Sequence, residues 1–314
     1  MESITFDTVI IGGGPAGFSA AIYAARASLS TCVFELGMPG GQIATSDAIE
    51  NYPGIPTMSG AELGMKLQEH AESTGALIRY EGVTEVQPLE DGLFAIDTDA
   101  GEYQARSVIV ATGATPRAAG FAGEDMFRGR GVSYCATCDG MFYRNKRVFV
   151  VGGGNSACEE GLYLSNIAAQ VEMVVRRDAF RAPRGVVERL LARDNISVRY
   201  QTSIASVEGD RLLSGITFRN TATGTEEHES FDEGSVGIFV FAGLDPVTDL
   251  VKPYVELSPD GGVLTDEHMV TRTPGLYCIG DMRSKALRQV VTAASDGAIA
   301  ATAAYHYVEG RFGL

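Results

Sequence analysis

Two cysteines separated by two residues are the side chains in this sequence most suited to chemistry. Cys135 and Cys138 are followed directly by Asp139, whereas the other three cysteines and the four histidines are scattered. A two-residue spacer lets two thiols close a small-ring disulfide, and it also supplies half of a zinc site. No second pair of metal ligands is visible, so the motif favours redox chemistry. Asp139 could protonate a leaving thiolate, or it could be an ordinary turn or helix-capping residue.

The remaining cysteines have a packing interpretation. Cys32 and Cys278 lie in apolar segments typical of strands, and Cys158 lies in a predicted helix. Free cysteine is among the residue types most often buried. An odd number of cysteines in a chain of 314 residues does not resemble a secreted disulfide framework, so we expect a cytoplasmic protein.

A glycine-rich turn near the N-terminus indicates a nucleotide site. Residues 8–11 are an apolar run typical of a buried strand, and Gly-x-Gly-x-x-Gly follows it. In a Rossmann unit the first glycine makes the tight turn, the second lets a pyrophosphate approach the backbone, and the third allows the helix to pack closely. An acid that binds a ribose hydroxyl should end the next strand, and Glu35 stands there. The predicted site contains Gly12, Gly14, Pro15, Ala16, Gly17 and Glu35.

A second turn of the same type follows residues 147–151, with Ala157 in the third glycine position. Here Val175 and then arginines stand where the first unit has its acid. Arginines suit a 2′-phosphate and an acid suits a free 2′-hydroxyl, so this site should take NADPH rather than NADH. A solvated basic helix start is the alternative interpretation. The predicted site contains Gly152, Gly154, Asn155, Ser156, Arg176, Arg177 and Arg181.

Composition limits the classes of protein to consider. The chain is 45% hydrophobic and 21% charged, which is typical of globular proteins, and its length suggests roughly two domains. A net charge of −15 argues against nucleic acid or an anionic membrane as a partner. The uncharged stretch 8–25 contains several glycines and Pro15, which argues against a membrane span.

Strand-like and helix-like segments alternate, which predicts an α/β fold with two Rossmann-like dinucleotide-binding domains. Helices are expected over 62–73 and 296–308. Strands are expected over 94–96, 107–111, 171–175, 216–219 and 236–241.

Several short motifs occur in a fixed order along nearly the whole chain. In that order and spacing they closely resemble the motifs of the low-molecular-weight, NADPH-dependent thioredoxin reductases, which are flavoproteins of the bacterial type. Val175 departs from the family, which often has His there, and Met141 precedes Phe142 where relatives often carry two aromatics that help to dock thioredoxin. The shared motifs are Gly12–Gly17, Gly40–Gln42, Glu50–Gly54, Ala111–Ala114, Cys135–Gly140, Gly152–Ala157, Arg176–Ala182, Ile279–Asp281 and Arg288–Gln289.

The resemblance implies a particular domain organisation. FAD would bind a discontinuous domain formed by residues 1–114 and 245–314, and NADPH would bind an inserted domain, residues 115–244, that carries the cysteine pair. Asp281 would touch the ribityl chain or diphosphate of the flavin, while Arg288 and Gln289 would lie near its isoalloxazine. The further cofactor-binding positions that the resemblance implies are Gly41, Gln42, Asn51, Thr112, Gly113 and Gly280.

The resemblance also implies a relay. NADPH would reduce FAD, FAD would reduce a Cys135–Cys138 disulfide, and the thiols would reduce thioredoxin or a thioredoxin-like protein. The chain would act as a homodimer without a metal, and the inserted domain would rotate between two states. Three alternatives are a dithiol oxidase of the same fold, a ferredoxin-dependent relative, and a non-catalytic flavin-binding protein. The arginines count against the oxidase and ferredoxin alternatives, and the cysteine pair counts against the non-catalytic one.

Overall fold

Two structural units share the chain in the computed structural model, which describes residues 4–46, 49 and 51–310 apart from the side chains of Thr45, Thr137 and Cys138. The first unit contains Met1–Thr115 and Asp245–Leu314, and the second contains Pro116–Leu244. The chain therefore leaves the first unit once and returns to it once.

Helices and strands alternate along the chain. The elements up to the first crossing between units are β1 (Ile4–Ile11), α1 (Pro15–Arg26), β2 (Thr31–Phe34), α2 (Gly60–Ser73), β3 (Leu77–Arg79), β4 (Val83–Pro88), β5 (Phe94–Thr98), β6 (Glu102–Val110) and β7 (Ala114–Pro116). Those up to the return crossing are β8 (Val132–Ser133), α3 (Ala136–Asp139), β9 (Arg147–Val151), α4 (Asn155–Ser165), β10 (Gln170–Val174), α5 (Arg184–Leu191), β11 (Ile196–Arg199), β12 (Thr202–Gly209), β13 (Leu213–Asn220), β14 (Glu226–Ser230), β15 (Val236–Val240) and β16 (Leu244–Pro246). The last are β17 (Leu276–Cys278) and α6 (Val290–Val308).

The first unit is built on a seven-stranded sheet of order β3-β2-β1-β6-β5-β4, in which β17 also pairs with β6. Two strands pair with the same edge of the long strand β6. Its first half pairs antiparallel with β5, and its second half pairs parallel with β17. On the other edge β6 runs parallel to β1. The carboxyl ends of β1, β6 and β17 therefore meet at one edge of the sheet, where ligands bind in open α/β sheets.

The second unit is also built on a sheet with parallel strands. Its five-stranded sheet has the order β11-β10-β9-β15-β8, and every pair is parallel. Strands β3, β2 and β1 of the first unit and strands β11, β10 and β9 of the second lie side by side in that order, which matches the 3-2-1 half of the Rossmann order. A three-stranded antiparallel sheet, β12-β13-β14, completes the second unit, and the crossing segments β7 and β16 pair with each other.

Central strands in both units are apolar on both faces. In β1, Val9 and Ile11 pack on one side of the sheet and Ile10 packs on the other, against α1 and α6. A parallel sheet that is covered on both faces requires such continuous apolar runs. The predicted α/β fold with two Rossmann-like units is confirmed.

Two differences from the predicted elements have physical causes. The closing helix begins at Val290, earlier than predicted, because Gln289 and Thr292 form a capping box that starts it. Basic residues 176–181 are a loop, and the helix after them begins only at Arg184. The alternative of a basic helix start is therefore wrong for Arg176, Arg177 and Arg181.

Candidate active site and cofactor-binding turns

The three glycines of the first turn have three different environments. Gly12 has φ +106°, and a Cβ there would lie 2.5 Å from the carbonyl oxygen of Ala111. A Cβ on Gly17 would overlap the carbonyl oxygen of Gly12. A Cβ on Gly14 would meet nothing nearer than 3.8 Å. The first and third glycines thus permit tight packing, whereas the second leaves open space above the turn.

Helix α1 begins at this turn without a side-chain cap. Gly14 is the N-cap residue, Pro15 occupies the first turn, and no acidic residue lies in that turn. Backbone N–H groups at a helix start that lack a capping side chain suit an anion, which the helix dipole also favours. Open space at Gly14 and this helix start together fit a diphosphate.

Glu35 lies beside the same turn. Its carboxylate accepts hydrogen bonds from the backbone N–H groups of Gly13 and Gly37, and it follows directly after β2. These contacts hold the carboxylate next to the turn, where a ribose hydroxyl could reach it.

The C-terminal part of the first unit contributes Gly280 and Asp281. Gly280 has φ +71°, and a Cβ there would lie 3.1 Å from the Cβ of Ala16 in the first turn of α1. The Oδ1 atom of Asp281 is buried and has no hydrogen-bond partner. Burial raises the pKa of Asp281, although Lys285 and Arg288 act to lower it. A buried carboxylate oxygen without a partner fits a site in which a ligand hydroxyl supplies the missing hydrogen bond.

Arg288 and Gln289 lie close to that turn. The Nε of Arg288 donates to the carbonyl oxygen of Asp281 at 3.2 Å. The Nδ2 of Asn51 donates to the Oε1 of Gln289 at 2.8 Å. The structure therefore brings Asn51 and the C-terminal motif together. Glu50, which belongs to the same motif as Asn51, lies outside the described residues.

Four further predicted residues lie around the first turn. Gly41 begins a 3-10 helix that includes Gln42, and a Cβ on Gly41 would lie 3.6 Å from the Cα of Gly14. Thr112 follows β6, and its hydroxyl donates to the carbonyl oxygen of Val247 at 2.6 Å. Gly113 has φ +72° and open space at its Cβ position.

The second glycine turn repeats the first. Gly152 has φ +147°, and a Cβ there would lie 2.6 Å from the carbonyl oxygen of Phe241. A Cβ on Gly154 would meet nothing within 4 Å. Helix α4 begins at Asn155, with Ser156 next, and has no side-chain cap and no acid in its first turn. This turn too leaves room for phosphate groups at an uncapped helix start.

Exposed arginines flank the second turn. The backbone N–H of Arg181 donates to the carbonyl oxygen of Gly153 at 2.7 Å, which ties the loop to the turn. The carbonyl oxygen of Arg176 accepts the hydroxyl of Thr221 at 2.8 Å, and that of Arg177 accepts the N–H of Gln201 at 2.9 Å. The loop is thus held by its backbone, and its guanidinium groups stay exposed.

Val175 explains how this loop begins. Its side chain is 2% exposed, and its Cγ1 would lie 3.0 Å from a Cβ on Gly153. An apolar residue at this position therefore packs under the turn and offers no hydrogen bond to a ligand.

The predicted redox segment lies in the second unit. Cys135 is partly exposed, is disulfide-bonded and directly precedes α3. Its backbone N–H donates to the hydroxyl of Ser133 at 3.1 Å, and its carbonyl oxygen accepts the N–H of Asp139 at 3.2 Å. The side chain of Cys138 lies outside the described ones.

The three other cysteines are free and buried, as predicted. Burial raises the pKa of Cys32 to about 12 and that of Cys158 to about 11. Burial also raises the pKa of Cys278. Because the thiolate is the reactive form, these three thiols are inert near neutral pH. Among the described residues, no group of three or more His, Cys, Asp or Glu could hold a metal ion.

One buried acid that contacts the candidate site was missed by the sequence analysis. Asp296 lies in α6, is 6% exposed, and contacts the Gly280 turn. The only signal for it was a single acid inside a long Ala-rich segment.

Alanine substitutions at Gly14 and Gly17 should separate packing from ligand space. Gly17→Ala should lower the unfolding temperature of the FAD-free chain. An overlap with backbone should exceed the gain in helix propensity of about 1 kcal/mol, since overpacking usually costs about 1–3 kcal/mol. Gly14→Ala should change the free energy of unfolding by less than about 1 kcal/mol but weaken FAD binding. Thermal unfolding with and without FAD measures both effects. Unchanged unfolding in Gly17→Ala, or unchanged FAD affinity in Gly14→Ala, would contradict these assignments.

Comparison with known proteins identifies the class. Residues 6–297 match the model of the pyridine nucleotide-disulphide oxidoreductase family, and the chain belongs to that family. The chain is 44% identical to the thioredoxin reductase of Treponema pallidum (strain Nichols) over 97% of both chains. It is 40% identical to the thioredoxin reductase of Bacillus subtilis (strain 168), over 98% of this chain and 96% of that one.

A solved structure agrees with these relatives. The thioredoxin reductase of Lactococcus lactis is 40% identical to this chain and superimposes on it with a TM-score of 0.84. The match covers 97% of this chain and 99% of the Lactococcus lactis chain. Within its class, the chain therefore belongs to the thioredoxin reductases, which confirms the resemblance seen in the motifs. No helix among the described residues has the length and apolar character needed to cross a membrane.

Proposed function

We propose that the chain is an FAD-containing thioredoxin reductase that uses NADPH to reduce thioredoxin or a thioredoxin-like protein. The observation that carries the proposal is the contrast between its two glycine turns. Both turns leave open space at the second glycine and start an uncapped helix. An acid, Glu35, lies beside the first, and exposed arginines lie beside the second. A relay between NADPH and a flavin requires one chain to bind two different dinucleotides, and the two turns would provide the two sites.

The first unit would hold FAD. The diphosphate would lie over Gly14 and the start of α1, with the ribose on Glu35. Asp281 would accept a hydrogen bond from the cofactor with its unpartnered oxygen. Gly41 and Thr112 lie beside the turn, each followed by a further residue of the proposed site, Gln42 and Gly113. Asn51, Arg288 and Gln289 complete that site. When bound, FAD supplies the ability to accept a hydride and pass both electrons to a disulfide.

The second unit would hold NADPH. Gly152, Gly154, Asn155 and Ser156 would place the diphosphate at the start of α4. Arg176, Arg177 and Arg181 would bind the 2′-phosphate with charge-assisted hydrogen bonds.

The cysteine pair would perform the disulfide exchange. With the pair reduced, the Cys135 thiolate attacks the disulfide of the protein substrate, forming a mixed disulfide and releasing one substrate thiolate. Asp139 would supply the proton that this leaving sulfur takes up. Cys138 then attacks the Cys135 sulfur, which releases the second substrate thiol and forms the Cys135–Cys138 disulfide. Each cycle therefore reduces one substrate disulfide and oxidises one pair of thiols in the chain.

Two other features belong to the proposal and rest on the resemblance: a homodimeric state, and a discontinuous FAD domain interrupted by the NADPH domain. A cytoplasmic location is proposed as well, and it rests on the odd number and scattered placement of the cysteines. The net charge of −15 supports neither nucleic acid nor an anionic membrane as a partner.

A spectroscopic assay tests the proposal. NADPH should bleach the visible absorption of the FAD-loaded chain under anaerobic conditions, and reduction of DTNB should require added thioredoxin. Bleaching by reduced ferredoxin but not by NADPH would contradict NADPH dependence. Oxidation of small dithiols by oxygen without any response to NADPH would instead identify a dithiol oxidase.

A further inference from the structure

A buried cluster of charges lies in α6 and the loop before it. The Asp296 side chain is 8% exposed, the Lys285 side chain 9%, and the Arg283 side chain 14%. Ionised groups are placed in such positions only when they are paired, because their removal from water is costly. The cluster belongs to neither of the glycine motifs and needs its own explanation.

Asp296 is the centre of this cluster. Its Oδ2 accepts the backbone N–H of Gly280 at 3.0 Å and the Nζ of Lys285 at 2.8 Å. Its Oδ1 accepts the Nη1 of Arg283 at 3.0 Å. One carboxylate therefore holds the Gly280 turn and two cations that follow it in sequence. Arg283 is fixed further by donating to the hydroxyl of Thr265 at 3.0 Å.

The same part of α6 is packed directly against the first glycine turn. A Cβ on Gly297 would overlap the carbonyl oxygen of Ala16, so the two helices are in backbone contact there. The hydroxyl of Ser19 donates to the carbonyl oxygen of Ala294 at 2.7 Å. Asp296 thus extends from a helix that cannot shift without disturbing the start of α1, and it fixes Gly280 against Ala16.

The turn held in this way carries the unpartnered group. Asp281 follows Gly280, and its buried Oδ1 has no hydrogen-bond partner. Asp296 is a second buried carboxylate whose charge acts on Asp281. Its ion pairs with Arg283 and Lys285 offset that charge. Without Asp296, the turn would lose its anchor and the two cations would lose their partner.

We propose that Asp296 is a positioning residue for FAD: it accepts the Gly280 N–H, pairs with Arg283 and Lys285, and so fixes the turn from which Asp281 presents its free carboxylate oxygen to the cofactor. This inference rests on the proposed FAD site and adds a residue that acts on that site through Gly280. Asp296 itself is one step removed from the cofactor.

Asp296 variants of the full chain test the proposal by titration with FAD. Asp296→Ala removes all three contacts and should raise the dissociation constant for FAD about ten- to a hundredfold, the range expected when a hydrogen bond to a charged group is lost. Asp296→Asn keeps an oxygen acceptor but no charge and should give a smaller increase. Asp249→Asn is the matched control, since this acid is exposed and lies in the same unit. Its FAD affinity should stay within about twofold of the unaltered chain.

Two further readouts separate positioning from general stability. The unfolding temperature of each FAD-free variant reports folding alone. The visible absorption spectrum of bound FAD reports the surroundings of the flavin and should change in Asp296→Asn but not in Asp249→Asn. If Asp296→Ala does not fold, Lys285→Met provides the test. This variant removes one cation from the cluster and leaves the hydrogen bond between Gly280 and Asp296 in place. It should also weaken FAD binding.

The outcomes distinguish this proposal from the proposed function. Lower stability of the FAD-free Asp296 variants with unaltered FAD affinity and spectrum would overturn the positioning role. Loss of FAD affinity in these variants, with the control unaffected, supports it. Failure of the unaltered chain to bind FAD would instead overturn the proposed function.

Discussion

Cys135→Ser should abolish reduction of thioredoxin while leaving reduction of the flavin by NADPH intact. A serine hydroxyl is not ionised at neutral pH and cannot attack a disulfide, whereas the thiolate can. We expect the turnover rate to fall by at least about a thousandfold, as is usual when a nucleophile is removed. The measurement is a pair of rates on one sample, the bleaching of flavin absorption by NADPH and the appearance of thioredoxin thiols.

Cys158→Ala is the control for this variant. Cys158 lies in the same unit and is buried, and its raised pKa keeps it protonated. Its removal should leave both rates within about twofold. Reduction of thioredoxin by Cys135→Ser at a near-normal rate would show that this cysteine is not part of the relay.

Arg176→Ala combined with Arg177→Ala should weaken NADPH binding and leave NADH binding nearly unchanged. A charge-assisted hydrogen bond contributes about 1.5–3 kcal/mol, so the loss should be roughly ten- to a hundredfold for each contact with the 2′-phosphate. The loop should keep its shape, because Thr221 and Gln201 hold it through backbone carbonyl oxygens that alanine also carries. Rates of flavin reduction over a range of NADPH and NADH concentrations give both apparent dissociation constants.

Arg184→Ala is the matched control for the arginine pair. Arg184 is exposed in the next helix, and its Nε donates to the Oε1 of Glu188 at 2.7 Å. It should leave the preference for NADPH within about twofold. An equal loss of affinity for both nucleotides in the double variant would show that Arg176 and Arg177 do not bind the 2′-phosphate.

The sequence predicted the structure best at positions where a single physical constraint determines which residue type can stand there. Gly12 and Gly17 have no room for a Cβ, and no other residue type could occupy these positions without a shift of the backbone. Apolar runs in β1, β6 and β9 predicted buried strands because a doubly covered parallel sheet leaves no polar face. The packing role of Cys32, Cys158 and Cys278 followed from the same apolar surroundings.

Other features depend on contacts between distant residues, which one sequence does not reveal. Asp296 meets Gly280, Arg283 and Lys285 only after α6 has packed on α1. The helix α6 was predicted over 296–308 and begins earlier, at Val290. The β-branched residues Val290, Val291 and Thr292 have low intrinsic helix propensity. A capping box and tertiary packing outweigh that propensity.

The basic loop is a third case of this kind. Arg176, Arg177 and Arg181 were predicted as neighbours of a 2′-phosphate from their order alone. Their loop conformation is set by hydrogen bonds to the turn after β11 and to the end of β13. These partners are distant in sequence, so the charge pattern alone could not distinguish a loop from the first turn of a helix.

The ratio of thioredoxin thiol pairs formed to NADPH oxidised tests the central claim most directly. It is measured anaerobically on the FAD-loaded chain with oxidised thioredoxin, first unaltered and then as Cys135→Ser. The proposed relay predicts one thiol pair for each NADPH in the unaltered chain and none in the variant, although NADPH still bleaches the flavin of the variant. Consumption of NADPH without thiol formation in the unaltered chain, or thiol formation by the variant at the same ratio, would contradict the relay.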